Sequence, residues 1–467
     1  MKFRLEEIDV PADAPFKNDA LKRQPVVEFV RDLIKQLEGP FVLALDSPWG
    51  TGKTTVVRML RASLKQDGYT SVYFNAWKDD YASDPLIPMV AAIDDLKAVD
   101  AAAQGRFRKH MTTVKNVATT VVKRGAVAAV KMATLNALDL EDASEEILAS
   151  AVGDATDDLV ESFKKEKVSL ERFHKALEEA VGEVAKGAAP QPLIFFIDEL
   201  DRCRPTFAIE LLERVKHLFD VKSIIFVLSI DKSQLEAITA AVYGERINAA
   251  EYLRRFIDLE YSLPIIHSKQ YTRVLMDRFG FKSFFDARRN HSALSHEFDN
   301  FVETFTQIAS VFGMSLRARE RCLTRMAVVL TQTPGNHYLD PFVVAFLLVI
   351  RAMRSDLYSG LISGSLAPQT LMSKIREMPS AGDFVGSRVS TVIEAYLIVG
   401  DIDRARGDEL LKNLRALSES QPSSVEGMRA RELVDMAPHV QGGWGREFST
   451  RYVANKVDLA SRVGDDW

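Results

Sequence analysis

The chain has 467 residues, 47% of them hydrophobic, so it can hold two or three domains with sizeable cores. A net charge of −5 gives no overall reason to expect a nucleic-acid partner, although local basic patches stay open. Two cysteines, Cys203 and Cys322, are too few for a disulfide framework or a thiolate metal site. This usage favours a reducing compartment, and we expect a cytoplasmic protein.

Hydropathy predicts neither a signal peptide nor a membrane span. The first residues, MKFRLEEIDVPADAPF, lack the apolar core of a signal sequence. No segment reaches the roughly 18 uncharged apolar residues that a transmembrane helix requires.

The first motif is a strand, a glycine-containing loop and a helix. Residues 41–45, FVLAL, predict a buried parallel strand, and GKTTVVRMLRASLKQ after the glycines has helical spacing. Such a loop points backbone N–H groups at a phosphate, with a lysine for the β- and γ-phosphates and a hydroxyl for Mg²⁺. We assign it as a Walker A element, with Thr54 on the metal. The candidate nucleotide-binding residues are Pro48, Trp49, Gly50, Thr51, Gly52, Lys53, Thr54 and Thr55.

One position departs from the usual Gly-x-x-x-x-Gly-Lys-[Ser/Thr] pattern, because Ser47 stands where glycine is expected and a proline follows it. A residue before proline is pushed toward extended backbone angles. Serine at this position is therefore tolerable if the loop leaves its strand extended, and costly if position 47 needs a positive φ. We expect a working phosphate loop with extended backbone at Ser47.

A long insertion separates this loop from the next motif. Residues 95–190 are alanine-rich with helical spacing, and their charge is polarised: residues 101–138 carry seven basic residues and no acid, whereas 139–167 carry ten acids and three lysines. Lysines and an arginine interrupt the apolar stretch too often for a membrane span. We expect a helical hairpin whose basic and acidic parts pair; contact with a membrane surface or with nucleic acid is the alternative.

The second motif, LIFFIDELDRCRP over residues 193–205, predicts a buried strand that ends in two acids. Parallel sheets bind ligands at this end of their strands. We assign a Walker B element in which Asp198 holds Mg²⁺ and Glu199 polarises the attacking water. Asp201 and Arg202 either contact the site or cap the following helix, and Cys203 is interpreted as a packing residue.

A further apolar run, SIIFVLSID over residues 223–231, predicts the next strand. Its polar end makes Ser229 and Asp231 candidate sensors of the γ-phosphate, although Asp231 is better explained as the cap of the helix DKSQLEAITAAV. SVYFNAW, residues 71–77, supplies a strand between the two Walker motifs. The predicted core is an α/β fold with a parallel sheet of the additional-strand, catalytic-glutamate type.

These motifs together resemble the KAP family of P-loop NTPases. The resemblance rests on WGTGKT, FNAWKDD, IDELDRC and FVLSIDKSQL followed by EYLRRFIDLEYSLP, and on an upstream Asp-x-Leu-x-Arg helix formed by Asp19, Leu21 and Arg23. It covers about residues 15–268 in the right order. It implies Mg²⁺-dependent binding and hydrolysis of a nucleoside triphosphate, and ATP is the nucleotide we expect. It also implies a bacterial-type setting in phage exclusion or another defence or signalling module.

Relatives of this kind suggest two further groups of arginines. Arg254 and Arg255 precede the last core strand, where such ATPases carry an arginine that reaches a neighbouring subunit's γ-phosphate; a salt-bridged helix end is the alternative. MSLRARERCLTRM resembles the helix that supplies a second sensor arginine, here Arg317 or Arg319. An ordinary solvated helical face explains that helix better.

The remaining chain predicts a helical domain without a catalytic constellation, and Phe342 to Ile350 reads as a buried helix. SESQPSSVEG, from residue 418, reads as a linker. We therefore expect a core domain over residues 1–268, with the insertion at 95–190, and a helical C-terminal domain over 269–467.

The sequence thus predicts an ATPase with ATP and Mg²⁺ as ligands, in which Lys53, Glu199, Ser229 and the arginines act on the γ-phosphate. Nucleotide state would drive conformational change or assembly, as a homo-oligomer or with a partner protein of the same operon. A slowly hydrolysing scaffold and a DNA-stimulated ATPase are the alternative functions.

Overall fold

The computed structural model describes residues 1–137, 167–185, 191–264, 269–291, 294–334, 337–441 and 448–458. The chain forms two compact units, residues 8–265 and residues 1–7 with 266–467. The first residues join the second unit through backbone and side-chain contacts, since the Lys2 N–H donates to Phe279 O (2.8 Å) and the Arg278 side chain donates to Glu6 O (2.5 Å). The domain boundary after residue 268 stays a prediction.

The unit of residues 8–265 is built on a five-stranded sheet in the order β2-β3-β4-β1-β5, and every neighbouring pair is parallel. The inner strands β3 and β4 are buried along their whole length, which explains their uninterrupted apolar sequences. The strands are β1 (Phe41–Asp46), β2 (Ser71–Asn75), β3 (Leu193–Asp198), β4 (Ile224–Ile230) and β5 (Leu259–Ser262).

The predicted α/β fold with a parallel sheet is therefore confirmed. SVYFN lies between the two Walker motifs in sequence, but β2 sits at the sheet edge beside β3. The strand that separates β1 from β3 in space is β4. In addition, Ala76 and Trp77 begin a helix instead of continuing β2, because the Asn75 side chain accepts a hydrogen bond from Lys78 N and caps that helix.

Helices cover both faces of this sheet. On one face α1 and α2 pack against side chains such as Leu43 and Leu45, and on the other α4 to α8 pack against the alternating side chains, such as Val42 and Ala44. The helices are α1 (Gln24–Ile34), α2 (Lys53–Gln66), α3 (Ala76–Asp79), α4 (Leu86–Asp94), α5 (Ala101–Ala137), α6 (residues 167–184), α7 (Pro205–Leu218), α8 (Lys232–Tyr243) and α9 (Ala249–Leu253).

The insertion begins as the predicted long helix, α5, whose basic side chains have acidic neighbours. Arg106 forms a bidentate pair with Glu183 of α6, with oxygens at 2.9 and 2.8 Å, and Lys115 lies 3.0 Å from Asp94 of α4. The acidic stretch expected to pair with α5 lies almost wholly outside the described residues, which contain only Lys167 of it. Within the described residues, α5 pairs its charges with α4 and α6.

The Asp-x-Leu-x-Arg segment was expected to be helical, and this is wrong: α1 begins only at Gln24, one residue after the segment ends. Pro25 occupies the first turn, where a missing N–H costs nothing. Asp19 instead accepts a hydrogen bond from the Gln24 N–H at 2.8 Å. The segment therefore precedes α1 and contacts its first residue.

The second unit is helical in every described element. Phe342 to Ile350 is buried at every position, as the sequence predicted. The expected linker at residue 418 is shorter than predicted, because α18 continues to Ser420 before α19 starts at Val425. The helices are α10 (Lys269–Arg278), α11 (Lys282–Asp286), α12 (Glu297–Val311), α13 (Leu316–Thr331), α14 (Pro341–Met353), α15 (Ser355–Ile362), α16 (Pro368–Arg376), α17 (Arg388–Val399), α18 (Arg404–Ser420), α19 (Val425–Gln441) and α20 (Thr450–Asp458).

Among the described residues, no helix combines the length and apolarity needed to cross a membrane.

Candidate functional site

The loop between β1 and α2 has the backbone shape of a phosphate loop. Gly50 and Gly52 adopt φ angles of 76° and 93°, a region that favours glycine. Gly52 caps α2, and Lys53 and Thr54 form its first turn, so free N–H groups and the positive end of the helix dipole face the loop. Thr54 and Thr55 are half-buried at this helix start.

Ser47 is accommodated without strain. Positive φ at non-glycine residues in the described chain is confined to Lys22, Glu199 and Asp340, so Ser47 does not need the freedom of glycine. Its hydroxyl donates to Thr51 Oγ1 at 2.7 Å, and the Thr51 hydroxyl donates to Pro48 O at 2.8 Å. The serine that replaces the usual glycine thus forms a hydrogen bond across the loop, to Thr51.

The Lys53 side chain folds back over the loop. Its ammonium donates to the carbonyl of Ser47 and, at 3.4 Å, to that of Pro48, and it lies 3.8 Å from Asp201 Oδ2. Burial lowers the pKa of Lys53, while the carboxylates of Asp201, Asp231, Asp198 and Asp46 act in the opposite direction. A phosphate would replace these contacts to neutral carbonyl oxygens with contacts to negatively charged oxygens.

Residues 46–49, which lead from β1 into the phosphate loop, are hydrogen-bonded to the turn between β4 and α8. The Lys232 N–H donates to Asp46 Oδ1 (2.8 Å) and the Ser47 N–H donates to Ile230 O (3.1 Å). The Trp49 N–H donates to Asp231 Oδ2 (2.9 Å). Asp231 stands at the N-cap position of α8, as predicted, but its side chain makes no capping bond to the α8 backbone. The carboxylate instead accepts from the phosphate loop and, at 2.7 Å, from the Ser233 hydroxyl.

Asp198 ends β3 with its carboxylate buried. Oδ1 accepts the Glu199 N–H at 3.0 Å, and Oδ2 accepts the Tyr73 hydroxyl at 2.9 Å. No lysine or arginine forms a salt bridge with it among the residues that the structure describes. Burial raises the pKa of Tyr73, and the Asp198 carboxylate adds to this effect, so the tyrosine remains a neutral donor. A buried carboxylate without a contacting cation, together with the Thr54 hydroxyl, suits the oxygen ligands that Mg²⁺ requires.

Glu199 follows in a left-handed backbone conformation, with φ at 61°. Both carboxylate oxygens are engaged: Asn75 Nδ2 donates to Oε2 at 3.0 Å, and Arg202 Nη1 pairs with Oε1. Arg202 in turn lies under the ring of Trp77, 5.8 Å from its centroid. The structure thus favours the contact alternative over helix capping for Arg202.

Asp201 is also turned into the site. It is 3% exposed, and its Oδ2 accepts hydrogen bonds from Trp49 Nε1 (2.5 Å) and from the Asp231 N–H (2.9 Å). Burial raises its pKa, while Lys53 and then Trp49 oppose the rise. The neighbouring Cys203 is buried with a raised pKa, which fits a packing residue.

Ser229 lies beside Asp198 in the register of β4 and β3, one strand away from the phosphate loop. It is 1% exposed, and its Oγ has no hydrogen-bond partner among the described residues. A buried unpaired hydroxyl next to the Walker B carboxylate is open to a ligand or a water.

The two arginines predicted before β5 are not brought to this edge of the sheet. Arg254 and Arg255 precede the amino end of β5, where Asp258 binds Val42 N, whereas the phosphate loop follows the carboxyl end of β1. Arg254 pairs with Glu251 and Arg255 lies over Tyr252. In the other unit, Arg317 is exposed on α13, and Arg319 is buried with a pKa lowered by desolvation.

Three residues at the site were not assigned a role from sequence. Tyr73 and Asn75 lie on β2, and the rule that polar residues at strand ends face the ligand would have identified Asn75. Arg23 is 3% exposed and donates to Thr51 O (3.3 Å) and to Pro264 O (2.5 Å), so it joins the phosphate loop to the segment after β5. Its place in the Asp-x-Leu-x-Arg motif was the available signal.

Comparison with known families agrees with this geometry. The sequence model of the KAP family P-loop domain matches residues 23–329, more than half of the chain. A comparison with curated proteins found no match. The phosphate loop, the Walker B acids and this family match lead to one assignment: the chain belongs to the KAP family of P-loop NTPases.

Proposed function

We propose that the protein is a Mg²⁺-dependent ATPase whose site is the carboxyl edge of the sheet around Lys53, Asp198 and Glu199. The observation that supports it most is the convergence of a strain-free phosphate loop with two adjacent acids at the end of β3, the buried Asp198 and the half-buried Glu199. The arrangement offers a cradle for phosphate, a carboxylate for a cation and a carboxylate for water.

In the proposed reaction, backbone N–H groups of the loop bind the β-phosphate and the Lys53 ammonium moves from Ser47 O to the β- and γ-phosphate oxygens. Thr54 and Asp198 would hold Mg²⁺, which neutralises phosphate charge when bound. Glu199 orients the attacking water and accepts its proton, and Ser229 donates to the γ-phosphate or to that water.

The paired state of Glu199 supports a regulated enzyme. With Asn75 and Arg202 on its two oxygens, the carboxylate has fewer acceptor sites left for a water, and exchange of either partner would free one. Nucleotide binding or a partner would therefore gate turnover, which supports the coupling to conformational change or assembly. A slowly hydrolysing nucleotide-dependent scaffold is the second candidate, favoured by the same engaged glutamate.

Arg254 and Arg255 would act only across subunits, because they lie toward the opposite end of the sheet from their own phosphate loop. The salt-bridged basic face of α5 gives a DNA-stimulated ATPase less support. A role in bacterial phage defence or signalling rests on the family resemblance; plaque counts for cells expressing native protein or Lys53→Ala would test it.

The testing experiment compares ADP binding by calorimetry and ATP turnover, with Mg²⁺ or EDTA and with or without DNA. Native protein, Lys53→Ala and Glu199→Gln are compared with Lys65→Ala, an exposed lysine of the same helix α2. We expect Lys53→Ala to weaken ADP binding about tenfold or more. Glu199→Gln should bind but turn over about 10²-fold slower. Native protein that neither binds ADP nor hydrolyses ATP would refute the proposal.

A further inference from the structure

We propose that Asp201 is a positioning residue for the phosphate loop, acting through hydrogen bonds to Trp49 and to the Asp231 backbone. The inference rests on the proposed nucleotide site and names a residue that holds that site in shape. Asp201 itself would touch neither phosphate nor metal.

The first observation is that one buried oxygen joins two segments that are far apart in the chain. Asp201 Oδ2 accepts from Trp49 Nε1 on the loop and from the Asp231 N–H on the β4–α8 turn, at 2.5 and 2.9 Å. Because Asp201 lies on the 3₁₀ turn directly after the Walker B acids, it connects all three segments at the carboxyl edge of the sheet.

The second observation is that Asp231 relays this contact back to the loop. Its own carboxylate accepts the Trp49 N–H at 2.9 Å, so Trp49 is bonded both at its indole and at its backbone. Trp49 is nevertheless 43% exposed, so apolar burial alone does not fix its position. These polar contacts fix Trp49, and through it the Ser47-Pro48-Trp49 side of the loop.

The third observation concerns the chemical cost of the arrangement. The side chain is buried, and Lys53 Nζ lies 3.8 Å from its Oδ2, a distance longer than a hydrogen bond. A buried carboxylate costs free energy unless its partners compensate it, and an asparagine would give the same acceptor without the charge. The substitution Asp201→Asn therefore separates the hydrogen bonds, which we hold responsible for positioning, from the charge near Lys53.

The experiment measures ADP affinity by calorimetry on the full chain for Asp201→Ala, Asp201→Asn, Trp49→Phe and the double variant Asp201→Ala/Trp49→Phe. Asp220→Ala, an exposed aspartate of the same unit, is the matched control. We expect Asp201→Ala to weaken ADP binding about tenfold, Trp49→Phe to weaken it by a smaller factor, and Asp201→Asn to stay within about threefold of native. The double variant should be no weaker than Asp201→Ala alone, since both lesions break the same contact.

Each other outcome has a definite meaning. Native affinity in Asp201→Ala overturns the proposal, and so does equal loss in Asp201→Asn and Asp201→Ala, because charge would then be responsible. Additive losses in the double variant refute the route through Trp49. If Asp201→Ala does not fold, the other two single variants test the proposal. It then requires weaker ADP binding in Trp49→Phe, a substitution at an exposed residue, and near-native binding in Asp201→Asn. Native protein that does not bind ADP refutes the proposed function itself, which distinguishes the two failures.

Discussion

Asn75 and Glu199 are joined by a hydrogen bond from Nδ2 to Oε2 of 3.0 Å, across the neighbouring strands β2 and β3. The other end of the same amide, Oδ1, accepts the Lys78 N–H at 3.1 Å and caps α3. Asn75 therefore presents its donor to the candidate catalytic carboxylate in one fixed orientation.

The substitution Asn75→Asp should reduce ATP turnover about tenfold or more while ADP affinity stays within about threefold. A carboxylate at position 75 still caps α3, but it cannot donate to Glu199 Oε2 and places a second negative charge beside it. Steady-state turnover and calorimetry measure the two effects.

Asn248→Asp is the matched control, since Asn248 caps α9 in the same way through the Glu251 N–H and lies on another element. Native turnover in Asn75→Asp would show that Glu199 does not act as the base, or that Asn75 leaves it during the reaction.

The arginines that precede β5 can be tested by mixing chains. If Arg254 or Arg255 acts on a neighbouring subunit, its alanine variant should lose about 10³-fold in turnover. An equimolar mixture with Lys53→Ala should regain activity, because each chain then supplies the part that the other lacks.

The control mixture is Lys53→Ala with Glu199→Gln, which carry their lesions in the same site and should stay inactive. Unchanged turnover in both Arg254→Ala and Arg255→Ala would remove them from the mechanism.

Arg23 should support the stability of the first unit. Its guanidinium satisfies the carbonyls of Thr51 and Pro264, and the side chain is 3% exposed. Arg23→Ala should lower the stability by about 2 kcal/mol, because charge-assisted bonds are lost in a buried place. Denaturant unfolding measures the loss. Arg246→Ala, at an exposed arginine of the same unit, should change nothing measurable, and an equally small effect at Arg23 would contradict this prediction.

The second unit contains a fully buried ion pair between Arg288 and Glu297, with Nε 2.9 Å from Oε2 and side chains 2% and 0% exposed. Arg288→Ala should cost about 3–5 kcal/mol in unfolding free energy, because it leaves a buried carboxylate without its partner. Arg289→Ala, the exposed neighbour, is the control.

The unfolding free energy lost in Arg288→Ala should depend on pH. Burial raises the pKa of Glu297 and the Arg288 guanidinium opposes the rise, so in Arg288→Ala the folded-state pKa climbs further above its unfolded value. Such a carboxyl contributes stability fully below the unfolded pKa and loses it as pH rises through the folded pKa. The deficit of the variant should thus be smaller at about pH 5 than at about pH 8, and a deficit independent of pH would contradict this account.

Several features followed from sequence because they depend on local chemistry. Glycine at positive φ, a lysine and a threonine at a helix start, and acids after an apolar run are set by neighbouring residues, so Gly50, Gly52, Lys53 and the two acids after β3 could be located in advance. The question at Ser47 could be posed from sequence alone, since proline restricts the residue before it.

Other features depended on how distant segments meet. Asp231 looked like a helix cap because that explanation is local, yet its carboxylate binds Trp49 N, 182 residues away in the chain. The contacts of Arg23, Asn75 and Asp201 are likewise long-range, and β2 lies at the sheet edge although it lies between the motifs in sequence.

The sequence by itself thus determined the family, the parallel α/β core and the position of the candidate phosphate loop, because backbone conformation and side-chain type fix these within a few positions. The tertiary structure decided which carboxylate contacts the loop, which donors hold Glu199 and where the arginines lie. Those relations depend on strand order and register, which bring hydrogen-bonding groups within 3 Å only after the sheet has formed.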